Sequence, residues 1–314
     1  MDREIIILSS SGTYFLSFIE IIKILDKNNI WPNKPKVYIG TSGGAFLSLI
    51  LTLIDNIQNM NVKSLSKAKI SPSILNIINN ILRNGYLESP EYLKKYYLSI
   101  LNENFTHYDF TNMTFLDHYN LTKKFLIMKT VDLETKKTVQ LDPFITPDFK
   151  IIDALVATSC YWSYIGPYNI NNTKYVDGRF TGQIFLEALK SPSIKKLKVS
   201  NKPDNVIGLY LVSNTEASKI KTNNIGYYNF FLYAEQINSI SYITEQNLLT
   251  KTEYKKYFAY LVQFQALHLS SIEALLLTPN AYKQISELGI QVGNEAVNTY
   301  NKTKGKKLNP YQSN

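Results

Sequence analysis

The chain has 314 residues, 45% of them hydrophobic, with 34 basic against 25 acidic side chains and a net charge of +9. That length and apolar content supply a sizeable core and exclude wholesale disorder, while the single cysteine, Cys160, excludes an internal disulfide framework and a Cys-rich zinc module. Three histidines, His107, His118 and His268, narrow the metal and acid–base chemistry available, and the positive charge favours anionic partners without choosing among them.

Along the chain, Met1-Asp2-Arg3-Glu4 runs directly into Ile5-Ile6-Ile7-Leu8, an apolar stretch too short for a signal-peptide core. The longest apolar stretch, Ala45 to Ile54, contains Ser48 and Thr52 and stops at Asp55, short of the ~20 residues a membrane helix needs. The expectation is a reduced, globular protein that is cytoplasmic or peripheral to a membrane.

Glu4 to Leu8 reads as a buried strand ending in the turn Ser9-Ser10-Ser11-Gly12. Phe15, Phe18, Ile19, Ile22 and Leu25 make one face of a helix over 15–27. Val37-Tyr38-Ile39 is a second strand, and Gly40 to Gly44 is a tight turn into the apolar helix from Ala45. Strand, helix, strand, helix with short connections predicts an α/β protein with a largely parallel sheet. Residues 57–113 carry helical patterns, around Ile74 to Leu82 and Glu91 to Leu101, and suit either a helical cap or ordinary packing. Strands return at Phe125 to Val131 and Thr138 to Leu141, joined as a hairpin. A small-residue helix over Asp153 to Ser159, a short strand at Lys174 to Val176 and a strong one at Val206 to Val212 follow. The segment 213–300 reads as mostly helical, with a basic tail over 301–314. No internal repeat or low-complexity linker divides the chain, so one domain over 1–314 is expected.

Gly40-Thr41-Ser42-Gly43-Gly44 fits G-x-S-x-G between a strand and a helix. A serine on so sharp a turn projects its Oγ, the flanking glycines Gly40 and Gly44 remove Cβ atoms that would collide with backbone, and the helix N-terminus favours an oxyanion. The serine needs a base. Chain order allows a triad of Ser42, Asp177 and His268, but His268 lies in a helical-looking segment with no turn residue to present it. His107 and His118 read as surface or packing residues. The other choice is a dyad in which Asp177, at a strand end in Tyr175-Val176-Asp177-Gly178-Arg179, takes the serine proton itself. Backbone N–H groups of the Ser9 to Gly12 turn are placed to add oxyanion donors.

Taken in order, these three turns resemble the patatin-like phospholipase family. Leu8 to Leu16 and the following helix are similar to its oxyanion loop and first helix, and Gly40-Thr41-Ser42-Gly43-Gly44-Ala45 to its nucleophile elbow. Thr114 to Thr135 resembles its middle strand pair. Ala157-Thr158-Ser159-Cys160, Gly166-Pro167 and Tyr175-Val176-Asp177-Gly178 resemble its run into the Asp-Gly motif, and Glu287-Leu288-Gly289 its closing helix. The likeness spans residues 4–182 and a C-terminal fragment. It implies a three-layer α/β/α fold and acyl hydrolysis of membrane lipids by Ser42 and Asp177, with Ser11, Gly12 and Gly43 as the oxyanion hole. Lipid or phospholipid is the implied substrate, with peripheral contact at the membrane surface and neither metal nor cofactor. The basic tail brings no nucleic-acid recognition motif with it.

The chain departs from the family in the oxyanion loop, where Ser10, Ser11 and Tyr14 replace typical glycines and a basic residue. A non-glycine residue held there at positive φ costs about 1–2 kcal/mol, so the departures predict reduced activity, or a silent patatin fold used as a binding scaffold. Arg179 stands where the family often has a small residue.

Overall fold

The computed structural model describes residues 3–61, 65, 79–80, 82–161, 164–212, 257–267 and 278–302. The described residues form an eight-stranded sheet. Five strands run parallel in the order β3 (Phe125–Asp132), β2 (Val37–Thr41), β1 (Ile5–Leu8), β7 (Val206–Val212) and β8 (Tyr260–Gln265). An antiparallel corner is added at β3 by β4 (Lys137–Leu141), β5 (Tyr168–Ile170) and β6 (Thr173–Asp177).

The parallel strands are apolar because both of their faces are covered. Alternate residues serve opposite layers: Ile6 and Leu8 of β1, Leu126 and Met128 of β3 and Ile207 and Leu209 of β7 join the larger core. Ile5 and Ile7, Phe125 and Ile127, and Val206 and Tyr210 join the smaller one on the other face. The larger layer holds α1 (Phe15–Lys27), α2 (Gly43–Leu53), α3 (Pro90–Asn104), α5 (Ile151–Ser159) and α7 (Pro279–Lys302); α4 (Phe115–Thr122) leads into β3. The smaller layer is built from the turn 187–190 and α6 (Pro192–Leu197). The three-layer α/β/α arrangement with a largely parallel sheet is therefore present.

Local sequence explains where these helices begin. Ser89 caps α3 by accepting from Tyr92 N–H at 3.2 Å, with Pro90 at the first position. Thr114 and Asp117 close a reciprocal capping box on α4. Helix α2 is apolar on every side because it is buried on every side, from Gly43 through Thr52. Each large apolar side chain it buries contributes about 1.5–3 kcal/mol. Helix α7 packs on α1 at Gly289, where a Cβ would meet the Ser17 carbonyl oxygen at 2.6 Å.

Several expectations meet the structure differently. The helix expected around Ile74 to Leu82 lies largely outside the described residues, as do His268 and the basic tail beyond Lys302. The other half of the 57–113 segment, α3, belongs to the main core through Tyr97, Ile100 and Leu101. It is tied to α5 by Tyr97 Oη donating to Ser159 Oγ (2.8 Å) and by the Lys94–Asp153 ion pair (2.6 Å). The segment expected to be mostly helical contains β8, whose alternating buried and half-buried residues are the period of a strand. Strand β5 is also additional; Asn171 (φ 49°) and Asn172 (φ 68°) turn it into β6 in the left-handed region, where asparagine is among the least penalised residues.

Candidate active site

Strand register brings the two polar turns together. β4 pairs with Met128–Asp132 along one edge of β3, so β2 and β6 must share the other. There Thr41 pairs with Lys129, and Asp177 pairs with the next residue, Thr130. The end of β2 thus abuts the end of β6, and Ser42 follows Thr41 while Gly178 follows Asp177. A Cβ on Gly178 would fall on the Lys129 carbonyl and reach Thr41 Cγ2 at 2.9 Å, so the junction closes only around a glycine.

Ser42 has φ 53° and ψ −127°, a left-handed conformation costing about 1–3 kcal/mol that the surroundings must hold in place. Part of that hold is Thr158, near the end of α5. Its Oγ1 accepts from the Ser42 N–H at 2.9 Å and donates to the Lys129 carbonyl, tying the serine turn to β3. Ser42 is 7% exposed and Asp177 1%. Burial raises the Asp177 carboxyl from its ordinary 3.8 to about 6; the Arg179 N–H, the Ser42 hydroxyl and the charges of Arg179 and Lys129 act in the other direction. Asp177 Oδ1 accepts from Arg179 N–H at 2.8 Å, and the Asp177 N–H donates to the Cys160 carbonyl at 3.0 Å.

The Ser9 to Gly12 turn is anchored on β7. Ser9 N–H donates to the Leu209 carbonyl, and Ser9 Oγ accepts from Leu211 N–H, each at 3.0 Å. The Ser10 N–H donates to the Gln183 carbonyl at 2.9 Å. Gly12 has φ +50°, whereas Ser11 has φ −145° and Ser10 is not among the residues at positive φ. Ser10 and Ser11 therefore carry no left-handed penalty, which removes the physical reason given above for expecting the loop to distort. The loop meets the serine turn at Gly43, where a Cβ would collide with the Gly12 carbonyl and come within 2.8 Å of Ser11 Oγ. Among the described residues, no hydrogen bond engages the N–H groups of Ser11, Gly12 or Gly43. Gly40 ends its pairing on β2 opposite Leu8, and Gly44 lies in the first turn of α2 against Ser9. Tyr14 turns away, its Oη donating to the Leu267 carbonyl at 3.3 Å.

Ser42, Asp177, Ser11, Gly12, Gly43, Gly40 and Gly44 accordingly lie in one neighbourhood. The other histidines do not join them: His107 is exposed, and His118 is buried against Thr52 Oγ1 (2.7 Å), with burial lowering it to about 4. Among the described residues no group of three or more His, Cys, Asp or Glu side chains is placed to hold a metal ion. Thr158 and Lys129 are the residues sequence reasoning missed. Thr158 lay in a quoted motif, but nothing in a small-residue helix end reveals which hydroxyl faces a turn more than a hundred residues away.

The sequence matches the model of the family described as patatin-like phospholipase over residues 6–189. A search of curated proteins found no match. Among solved structures the fold is similar to VipD of Legionella pneumophila, at 12% identity and a TM-score of 0.52, covering 95% of this chain and 67% of that one. It was also matched to the type III effector ExoU, at 11% identity and a TM-score of 0.40, and to ExoU in its complex with SpcU from Pseudomonas aeruginosa, at 10% and 0.40. This chain spans about half the length of ExoU, covering 53% and 52% of it in the two structures.

Proposed function

The chain belongs to the patatin-like phospholipase family, a family of lipid acyl hydrolases, and on that premise we propose that Ser42 and Asp177 cleave acyl esters of membrane lipids. Asp177, ionised above about pH 6, takes the Ser42 proton as Oγ attacks the ester carbonyl. The tetrahedral oxyanion accepts from the N–H groups of Ser11, Gly12 and Gly43 while the alcohol leaves with the proton. Water, deprotonated by the same carboxylate, then releases the fatty acid and restores the serine. A histidine is unnecessary because a buried carboxylate raised to about 6 is already poised as a base near neutrality.

The observation that carries this reading is the meeting of β2 and β6 on one edge of β3, which sets a strained serine beside a buried carboxylate. The negative φ of Ser11 favours an active loop over the silent scaffold. Contact with the bilayer is peripheral in this proposal: among the described residues no helix is long and apolar enough to cross a membrane. The +9 charge attracts anionic lipid in a salt-sensitive way. The test is fatty-acid release from phospholipid vesicles together with fluorophosphonate labelling. Wild type should show both, and Ser42→Ala should lose both. Unchanged release by Ser42→Ala would overturn the proposal.

A further inference from the structure

Arg179 is the one basic side chain in the turn Gly178–Thr181 that follows Asp177, and its setting is built. Its backbone N–H is fixed to Asp177 Oδ1, and its guanidinium lies 4.9 Å over the Tyr161 ring. Tyr161 is stacked in turn on Phe180 (5.4 Å between centroids, 8° between planes) and on Tyr164 (5.9 Å, 19°). Tyr161 directly follows Cys160, whose carbonyl holds the Asp177 N–H, so acid and aromatic platform share one support. The far end of the turn is fixed too, because Lys129 Nζ donates to the carbonyls of Thr181 (3.1 Å) and Gly182 (2.7 Å). A half-buried cation thus lies over the Tyr161 ring, itself stacked on two others, close enough to Asp177 for its charge to act there.

A cation–π contact is compatible with binding an anion as well, because the donors of a guanidinium lie in its plane, in the fork that matches a phosphate. Preorganisation on the rings lowers the side-chain entropy lost when an anion is bound. In a glycerophospholipid the phosphodiester lies only a few bonds from the acyl ester, so a phosphate beside Arg179, two residues on from Asp177, accompanies an ester at Ser42. A neutral acylglycerol offers the same ester and no anion.

We propose that Arg179, held over Tyr161 in its stack with Phe180 and Tyr164, binds the phosphodiester of the lipid whose ester is cleaved and so selects phospholipids over neutral acylglycerols. The proposal rests on the hydrolase reading for its substrate but not for its binding chemistry, and the two can fail separately. Two monomeric esters with identical acyl chains, dihexanoyl phosphatidylcholine and dihexanoylglycerol, give the test. The quantity read is the ratio of kcat/KM for the first to that for the second. Arg179→Gln should lower this ratio by about 10- to 10²-fold, the value of losing a charged hydrogen-bond partner, and Arg179→Lys should fall between the two. A ratio unmoved by Arg179→Gln overturns the assignment, because a role confined to folding or to the Asp177 charge slows both esters alike. Equilibrium binding of dihexanoyl phosphatidylcholine is measured in parallel on Ser42→Ala with and without Arg179→Gln. At least a tenfold weakening supports the assignment even if wild type hydrolyses neither ester, in which case the hydrolase reading falls alone. Equal binding in that pair overturns the Arg179 assignment.

Discussion

Ser42 and Asp177 come from two parts of the sheet that are built in different ways. The serine belongs to the parallel region, where strand, turn and helix are contiguous from Val37 to Leu53 and nearly every residue is buried. The aspartate belongs to the antiparallel corner, where β5 and β6 are short and mostly half-exposed and only Val176 and Asp177 of those two strands are buried. One is placed by its immediate neighbours in the chain. The other is placed by a register, because β3 runs three residues beyond its pairing with β2 and leaves an edge for β6 to complete. The difference teaches that the proposed nucleophile is a local construction, whereas the proposed base is where it is only as long as a distant strand pairing holds.

The sharpest way to separate the two contributions is to remove the corner's carboxylate. Asp177→Asn should keep the fold and the Arg179 N–H bond yet reduce turnover about 10⁴-fold, checked by steady-state ester hydrolysis. Next comes the link between the regions. Thr158→Val leaves the Ser42 N–H and the Lys129 carbonyl without their shared partner and should lower kcat about 10²-fold, while Thr158→Ser restores it; kcat and KM measured separately decide this. Activity should also fall about tenfold per pH unit below about 6, the pH at which Asp177 takes up its proton, and be flat above it.

The same carboxylate predicts a trade between activity and stability. A folded value of about 6 against an ordinary 3.8 means that the folded protein holds this proton more tightly than the unfolded chain. The resulting stability is fully present below about pH 4 and is lost as pH rises through about 6. Asp177→Asn should therefore be about 1–3 kcal/mol more stable than wild type near pH 8 and gain nothing near pH 4, read by denaturant titration. The smallest effect belongs to Gly12→Ala. A methyl there meets no atom within 4 Å, so only the cost of φ +50°, about 1 kcal/mol, should appear in stability. A much larger loss would show that the loop is packed more tightly than its geometry indicates.

The parallel region was legible in the sequence and the corner only partly so. β1, α1, β2 and α2 announce themselves through apolar runs, one helical face and the glycines around Ser42, all of them local signals. The Asp-Gly turn was legible as a turn at a strand end, which made Asp177 a candidate base for Ser42, and the resemblance to a family strengthened that pairing. The physical reason is that Thr130 opposite Asp177 is set by strand register, which no spacing within the chain reveals. Strand β5, three residues long, falls below the length at which periodicity is measurable, although Asn171-Asn172 was an available hairpin signal. β8 went unread because its alternation was set inside a segment read as helical. The loop serines show the opposite limit: their departure from the family pattern raised a left-handed penalty, and neither of them has a positive φ.

Cys160 joins the end of α5 to the acid through its carbonyl, and its side chain is fully buried, with burial and the charge of Asp177 raising the thiol well above its ordinary range. A thiol that is both enclosed and protonated is unreactive toward alkylating reagents while the surrounding structure stays shut. Because it is also the sole cysteine, the native protein is a blank background for labelling. A cysteine introduced at the exposed Leu133, on the tip of the β3–β4 hairpin, would carry a spectroscopic probe without any prior removal of native thiols. The slow modification of Cys160 itself would then time how often the floor beneath the carboxylate opens.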